Sequence, residues 1–385
     1  MDFIYLDSNA TTPMLPAVGE AMRPFLTEVY GNPASAHRAG SRARLALEDA
    51  REQTASILGA YPDELIFTSG ATESNNLALF GLAGDPPGHI ITSPLEHPSV
   101  IEPICRLEQL GHRVDRLAVD PTGSVRAESI VEHLRPDTRL LGVMLVNHET
   151  GAVQPVPELV DQLDGRAAFH CDAVQAVGKL PVNFHELGVS TLALSAHKFH
   201  GPKGVGALLV RRDVKLQPQL WGGHQQQGRR PGTEPVALAV GLATALAIWR
   251  QDAETRILQI SRLHDLFLDR LRATAAPVVV NGPPVRTPSR GVPHTLNISF
   301  PGCQADSILM NLDLDGVACS TGSACSSGSL LPSPVLQAMG TPPDVLHSAM
   351  RFSFSALTTQ EEVIEATHRI AAVIVRLRES CSQGN

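Results

Sequence analysis

The chain has 385 residues, of which 43% are hydrophobic and 4% aromatic, and its formal net charge at pH 7 is −8. This length predicts two or three domains, or one large and one small domain, with enough apolar material for a sizeable core. The acidic balance and the scarcity of aromatic side chains argue against a nucleic-acid-binding protein, because such proteins usually carry a surplus of basic residues.

The cysteines and the apolar stretches indicate the environment of such a chain. Its six cysteines are too sparse for a disulfide framework, and no CxxC pair suggests a zinc site. The N-terminus shows no basic leader followed by an apolar run, so we expect no signal peptide. The most apolar stretch, Val236–Trp249, is shorter than the roughly 20 residues that a membrane span needs. We therefore expect a reduced, cytoplasmic protein that is not bound to a membrane.

Short β-like runs alternate with helical segments between Glu64 and Val210. Helices are predicted over Ala71–Leu82 and Pro98–Leu110. Strands are predicted over Leu65–Thr68, His89–Thr92, Arg139–Val146, Ala167–Cys171, Thr191–Ser195 and Gly206–Val210. Continuous apolar strands separated by helices predict an α/β domain with a mostly parallel sheet covered by helices on both faces. Ligands of such sheets bind beyond the carboxyl ends of the strands.

The pattern changes towards the C-terminus. After a helical stretch, Val236–Arg272, and a Pro/Gly-rich passage, short strands and helices mix, which predicts a smaller α+β C-terminal domain. Strands are expected over Thr295–Phe300 and Met350–Phe354, and helices over Ala305–Leu312 and Gln360–Leu377. We predict a large domain over residues 15–255 and a small domain formed by residues 1–14 together with 256–385.

The residues that follow the predicted strands carry the chemistry. Ser69–Ser74 is a turn of small residues that enters a helix and can hold a phosphate, although an ordinary βα turn is the commoner meaning of this pattern. Polar side chains follow the other strands, and they are His97, Asn147, Asp172, Gln175, His197 and Lys198. Each alone is more often a solvated loop residue or a helix cap.

Together these residues meet the needs of pyridoxal phosphate. That cofactor needs a lysine for a Schiff base, an acid beside its pyridinium nitrogen and a phosphate cup. A nicotinamide cofactor fits less well, because no GxGxxG follows a strand. A metal site built from His170, Asp172 and His197 has no recognisable ligand spacing, so we expect no metal.

Ten stretches in chain order resemble one known family. They are Tyr5–Pro13, Gly31–Gly40, Phe67–Asn76, Glu96–Val100, Asn147–Pro155, Asp172–Lys179, Ser195–Leu208, Gly228–Thr233, Ser320–Gly328 and Met350–Phe354. The family is the cysteine desulfurases of the NifS/IscS type, which belong to the class V aminotransferase group. The resemblance implies a fold-type I pyridoxal-phosphate-dependent transferase.

The resemblance also implies a role for each matching residue. Lys198 would form the Schiff base, Asp172 would keep the ring nitrogen protonated, and His97 would stack on the ring and take part in proton transfer. The phenolic oxygen would be held by Asn147 and Gln175, and the phosphate by Ala71, Thr72, Ser195 and His197. Thr233 would reach the phosphate of the other subunit, which implies a homodimer. Arg351, with Asn147, would bind the substrate carboxylate.

Cys325 is the decisive position. An isolated cysteine is usually a small buried hydrophobe, but Ser320–Gly328 is polar and glycine-rich. The resemblance makes Cys325 the sulfur acceptor. L-Cysteine would become L-alanine, and the persulfide would pass to an acceptor protein for iron–sulfur clusters or for other sulfur-containing cofactors or tRNA. The alternatives are a related lyase or transaminase acting on selenocysteine or cysteine sulfinate, and a non-catalytic sulfur-relay scaffold.

Three positions depart from the family pattern. His224 replaces a glycine, Gln226 replaces an acidic residue, and Ser355 lies where a glycine-arginine version is usual. A histidine at position 224 would be strained if the backbone there had a positive φ. Loss of the acid at position 226 would remove a salt bridge.

Overall fold

The computed structural model describes residues 3–284, 290–322 and 332–383, with side chains described as far as residue 380. The strands in this part of the chain are β1 (Ile4–Tyr5), β2 (Leu65–Thr68), β3 (His89–Thr92), β4 (Arg113–Arg116), β5 (Thr138–Gly142), β6 (Ala168–Asp172), β7 (Thr191–Ser195), β8 (Gly206–Val210), β9 (Val279–Asn281), β10 (Thr295–Ser299), β11 (Val317–Ala318) and β12 (Ala349–Ser353).

The α-helices precede, separate and follow these strands. They are α1 (Pro16–Thr27), α2 (Arg38–Ile57), α3 (Ala71–Ala83), α4 (Pro98–Gln109), α5 (Ile130–His133), α6 (Val156–Leu163), α7 (Phe184–Leu187), α8 (Val236–Gln251), α9 (Ala253–Thr274), α10 (Ala305–Leu314), α11 (Pro334–Ala338), α12 (Pro343–Leu346) and α13 (Gln360–Gln383).

A seven-stranded sheet in the order β2-β8-β7-β6-β5-β3-β4 forms the centre of the large domain. Every neighbouring pair is parallel except those made by β8, which runs antiparallel to both β2 and β7. The predicted α/β fold with a mostly parallel sheet is therefore confirmed. Because most of the strands run the same way, their carboxyl ends meet along one rim of the sheet.

Two strands of the seven-stranded sheet differ from the expectation. No apolar pattern marks β4, because it reads RVDR and lies at the edge of the sheet, where its side chains are exposed or half-buried. The strand predicted to continue to Val146 ends at Gly142. The amide of Met144 instead donates to the Glu96 carboxylate at 3.0 Å, so a buried side chain replaces a ladder partner there.

Four apolar clusters lie in the described part of the chain, and two of them are large. The larger of these two covers one face of the seven-stranded sheet under α1, α2 and α8, and the two small clusters cover its other face under α3 and α4. The second large cluster joins α9, α13 and the antiparallel sheet β12-β10-β9, and the Phe267 ring packs 5.0 Å from that of Phe352. The N-terminal residues Ile4 and Leu6 belong to this second core, and β1 pairs with β11. This placement supports assigning the N-terminus to the small domain, while the exact boundaries stay a prediction.

The apolar helix α8 packs in the larger core and is followed by α9 after a sharp bend. Among the described residues, no single helix is both long and apolar enough to cross a membrane. By length and composition alone, α8 and α9 pass that test only as a pair, and they are bent by 75°.

The three departures from the family pattern have local structural explanations. His224 has a φ of −89°, so a glycine is not required there, and the left-handed values fall on Gln226 and Gln227 instead. The Gln226 side chain accepts the Phe67 amide at 2.6 Å and donates to the Phe67 carbonyl at 2.7 Å. Ser355 accepts the Leu357 amide in the turn before α13.

Candidate active site

A cavity of about 500 Å³ opens at the carboxyl rim of the central sheet. Eight of the residues singled out from the sequence line it, and they are Ala71, Thr72, His97, Asp172, Gln175, Ser195, His197 and Lys198. They come from the ends of β6 and β7 and from the first turns of α3 and α4, which the parallel sheet brings together.

Lys198 ends a short 3-10 turn, Ala196–Lys198, directly after β7. Its Nζ donates to the carbonyl oxygen of Asn9 at 2.6 Å and to that of Ala10 at 3.0 Å. The chain before α1 therefore supplies backbone acceptors that hold this amine at the cavity.

Asp172, at the end of β6, is held in place from two sides. Its Oδ1 accepts the Val174 amide at 3.0 Å, and its Oδ2 accepts from Asn75 Nδ2 at 2.8 Å. Asn75 in turn bonds His170 Nε2 at 3.0 Å, and His170 Nδ1 bonds Thr191 at 2.9 Å. Burial lowers the pKa of His170 to about 4, so the ring is neutral. A neutral His170 that donates from Nε2 orients the Asn75 amide as a donor to Asp172.

This arrangement argues against a metal site at His170, because Thr191 and Asn75 already engage both ring nitrogens that could bind a metal.

The contacts of Asp172 also include a residue that the sequence did not reveal. Asn75 belongs to a stretch that matches the family, but no local pattern indicates that its amide reaches Asp172, 97 positions later.

His97 caps the N-terminus of α4. Its Nδ1 accepts the Ser99 amide at 3.1 Å, which places the proton of the neutral ring on Nε2. Burial lowers the pKa of His97, with the nearby Lys198 and Arg351 acting in the same direction against Asp172. The His148 ring packs edge-to-face against the His97 ring, with the ring centroids 5.3 Å apart. The cavity thus contains a neutral imidazole at neutral pH.

The N-terminus of α3 forms the end of the cavity suited to an anion. Gly70 precedes the helix, and the first amides of a helix have no acceptor within it. The carboxylate of Glu73 lies in the same turn, where it accepts the Ser69 amide at 2.7 Å and pairs with Arg230 Nε at 2.7 Å. The charge of Arg230 thus offsets the negative charge of Glu73 beside the anion site. Lys203 also lines the cavity, and the sequence reasoning had assigned it no role.

Three predicted residues do not line this cavity, and their roles stay predictions. Asn147 is buried, and its Oδ1 accepts the amides of Glu149 and Thr150 at 2.9 Å each. Arg351 pairs with Asp7 at 2.7 Å, while its Nε has no partner among the described residues. Thr233 is exposed on the surface of its own subunit.

Cys325 lies outside the described residues. Two described residues near it in the chain, Gly322 before and Ser333 after, both lie close to the buried carboxylate of Glu149. Ser333 Oγ donates to Glu149 Oε2 at 2.5 Å, and a Cβ on Gly322 would lie 2.6 Å from the same oxygen. Burial raises the pKa of Glu149 to about 6. Burial also raises the pKa of the Cys319 thiol well above its ordinary value, which disfavours its thiolate.

A family model described as aminotransferase class-V matches residues 4–365. The chain is 44% identical over 381 residues to the cysteine desulfurase IscS of Dictyoglomus turgidum, and the match covers 97% of this chain and 95% of that protein. The chain belongs to the cysteine desulfurases of the class V aminotransferase family. Pyridoxal phosphate is therefore its cofactor, and the lyase, transaminase and scaffold alternatives are not favoured.

Solved structures agree with this assignment. A NifS-like protein superposes with a TM-score of 0.90 at 34% identity, covering 97% of this chain and 100% of the other. SspA in complex with cysteine superposes with a TM-score of 0.81 at 33% identity, covering 92% of this chain and 100% of the other. The resemblance to a fold-type I pyridoxal phosphate enzyme is thus confirmed.

The residues around the cavity fit that cofactor. The cavity is lined by the Lys198 amine, by the Asp172 carboxylate, which two donors hold in place, and by the first turn of α3. Its volume of about 500 Å³ is in the range of small-molecule sites.

Proposed function

We propose that this enzyme converts L-cysteine into L-alanine and carries the sulfur as a persulfide on Cys325 to an acceptor protein. The observation that carries the proposal is the convergence of Lys198, Asp172 and the α3 N-terminus on one cavity in a full-length relative of cysteine desulfurases. The similar SspA was solved in complex with cysteine, which supports the same substrate here.

Within the cavity we assign the cofactor contacts residue by residue. Lys198 would tether the cofactor, Asp172 would pair with its ring nitrogen, and Gln175 would bind its phenolic oxygen. Ala71 and Thr72 at the α3 N-terminus, together with Ser195 and His197, would hold the phosphate. When bound, pyridoxal phosphate supplies an electron sink that weakens the bonds around the α-carbon of the amino acid.

The protein's own groups bind the substrate and handle protons. Arg351 binds the substrate carboxylate, a task that suits the paired donors of a guanidinium. Asn147 supports this site from the turn after β5. His97 offers the Nε2 proton of a neutral ring within the cavity, because its Nδ1 is already engaged by Ser99.

The sulfur transfer conserves atoms and electrons. The Cys325 thiolate attacks the sulfur of the substrate, so an S–S bond forms as the C–S bond breaks, and the carbon takes up a proton. L-Cysteine and the enzyme thiol thus give L-alanine and an enzyme persulfide. An iron–sulfur scaffold or a thiolation protein then accepts the sulfur, and we place this reaction in the cytoplasm.

We further propose that the enzyme works as a homodimer in which Thr233 reaches the phosphate site of the other subunit. Thr233 is exposed and does not line the cavity of its own subunit. Two strongly exposed aromatic side chains, Trp221 (86% exposed) and Tyr30 (81% exposed), are candidates for residues that such a contact between subunits would cover.

The test uses Lys198→Ala, Cys325→Ser and the matched control Cys319→Ser. Borohydride reduction of the wild type should fix the cofactor to Lys198, and Lys198→Ala should lose alanine formation by about 1000-fold or more. Cys325→Ser should form no persulfide, whereas Cys319→Ser should behave like the wild type. Full-rate sulfide release by Cys325→Ser would show that the persulfide assignment is wrong.

A further inference from the structure

Lys179 is a lysine beside the active site to which no role has been assigned. It lies in the turn after β6, four positions after Gln175. Its Nζ donates to Asn9 Oδ1 at 3.0 Å and to Gln175 Oε1. It therefore touches a residue that lines the cofactor cavity without lining that cavity itself.

Asn9 makes this arrangement rigid. It is 1% exposed, and its Nδ2 donates to the His148 carbonyl at 3.1 Å and to Thr295 Oγ1 at 2.7 Å, so its Oδ1 is left for Lys179. The Asn9 carbonyl accepts Gln175 Nε2 at 3.0 Å and Lys198 Nζ at 2.6 Å. The two lysines are thus joined through one asparagine.

The electrostatic surroundings of Lys179 are unusual for a lysine. Burial lowers its pKa well below the ordinary value, and the charges that act on it, Lys198 and Arg351, lower it further. A lysine in such a place is costly unless its donors are used, and both acceptors that it meets are neutral amide oxygens.

The contacts determine which way the Gln175 amide points. Lys179 is a donor and occupies Oε1, while Nε2 gives one hydrogen to the Asn9 carbonyl. The second Nε2 hydrogen is left for a group in the cavity. A flipped amide would set its NH2 against the donors of Lys179 and its oxygen against the Asn9 carbonyl, and both contacts would be repulsive.

We propose that Lys179 is a positioning residue that holds Gln175 as a hydrogen-bond donor towards the phenolic oxygen of the cofactor. This inference rests on the proposed function, because it takes that oxygen as the partner of Gln175. A donor at the phenolic oxygen draws charge away from the neighbouring Lys198 linkage and makes that linkage lose its proton at lower pH.

The test is a pH titration of the visible absorbance of the cofactor-loaded enzyme. The midpoint of this titration is the pH at which the Lys198 linkage has lost half of its protons. Lys179→Met should raise that midpoint by about one pH unit, a roughly tenfold change in the proton affinity of the linkage. Lys179→Gln retains an N–H donor and should shift the midpoint less. Gln175→Leu should raise the midpoint as Lys179→Met does, and the double variant should add little more, because the two residues act as a unit. The exposed Lys215→Met serves as the matched control and should leave the midpoint unchanged.

An unchanged midpoint in Lys179→Met, or additive shifts in the double variant, would overturn the positioning role. Thermal unfolding separates this role from a merely structural one. If Lys179→Met lowers the melting temperature and leaves the titration unmoved, the residue only supports the fold. Failure of the proposed function would look different, since the wild type itself would then show no cofactor linked to Lys198.

Discussion

Glu96 immediately precedes His97 and carries a carboxyl group inside the protein. Its Oε1 accepts the Ser93 hydroxyl at 2.5 Å and the Met144 amide at 3.0 Å. Its Oε2 is buried and has no partner in the described part of the chain. Burial raises the pKa of Glu96 to about 8, so the group is protonated at neutral pH.

This protonation predicts a pH dependence of stability. The folded pKa of Glu96 lies above its ordinary value of 4.5, so the folded protein binds the extra proton. The contribution of this proton to the free energy of unfolding is complete below pH 4.5 and is lost as the pH rises to about 8. Over that range the free energy of unfolding should fall by up to about 1.4 kcal/mol per pH unit. Glu96→Gln keeps a neutral amide in place and should flatten this slope. Urea unfolding at several pH values measures it, and an unchanged slope would contradict the assignment.

Arg351 is the second residue whose chemistry can be tested directly. Its guanidinium pairs with Asp7 at 2.7 Å and reaches the His148 carbonyl at 3.3 Å. Arg351→Lys keeps the charge but loses the paired donors, so we expect the KM for L-cysteine to rise about tenfold or more with a smaller change in kcat. Steady-state alanine formation gives both constants. A KM that stays at the wild-type value would remove Arg351 from substrate binding.

The site residues that were predicted from the strand pattern lie at or just after the end of a strand, whereas Arg351 and Thr233 were predicted only from the family resemblance. The strand pattern needs no knowledge of side-chain contacts, and it located Asp172 and Lys198. Asn75 and His170 orient Asp172 through bonds across 95 and 97 positions, and no spacing rule reaches that far. Lys179 was missed for the same reason, because its proposed role depends on a contact with Asn9, 170 positions earlier in the chain.

At the level of elements, β2 is an edge strand that leads into the turn before α3. Gln226 takes the place of a neighbouring strand at Phe67 by bonding both its amide and its carbonyl. A carboxylate can accept but cannot donate, so the glutamine suits this edge better than the acid that the family pattern has there.

Gln226→Glu should therefore destabilise the protein. The variant keeps the bond to the Phe67 amide, loses the donor to the carbonyl and sets two oxygens against each other, a cost of about 1–3 kcal/mol. Urea denaturation measures the loss, and Gln251→Glu at an exposed position on α8 serves as the control. Equal stability of Gln226→Glu and the wild type would show that the edge contact contributes nothing.

The direction of strands was harder to predict than their existence. Gly206–Val210 is buried along its whole length, and an apolar run of this kind reads the same whether its neighbours are parallel or antiparallel. The antiparallel direction follows from the short connection after β7, which pairs Ser195 with Gly206. Conversely, the charged β4 has no apolar pattern to reveal it.

At the level of the whole molecule, the proposed dimer makes a prediction about cofactor retention. Sedimentation should give twice the chain mass of 41.1 kDa. Trp221→Glu places a charge on an exposed apolar side chain in the segment before Thr233, and it should weaken both association and cofactor binding. Leu314→Glu, at a residue 82% exposed on α10, is the control. A monomer that retains its cofactor fully would contradict the shared site.

The antiparallel direction of β8 bears on Lys198, the residue proposed to hold the cofactor. The chain leaves the sheet at Ser195 and re-enters it at Gly206, directly alongside. The loop that carries Lys198 is thus anchored at both ends on adjacent strands, and the packing there is tight, because a Cβ on Gly206 would come within 2.5 Å of the Leu194 carbonyl. Anchoring at both ends limits the rotation of this loop, so we expect Lys198 to keep the same orientation towards the cavity throughout the catalytic cycle.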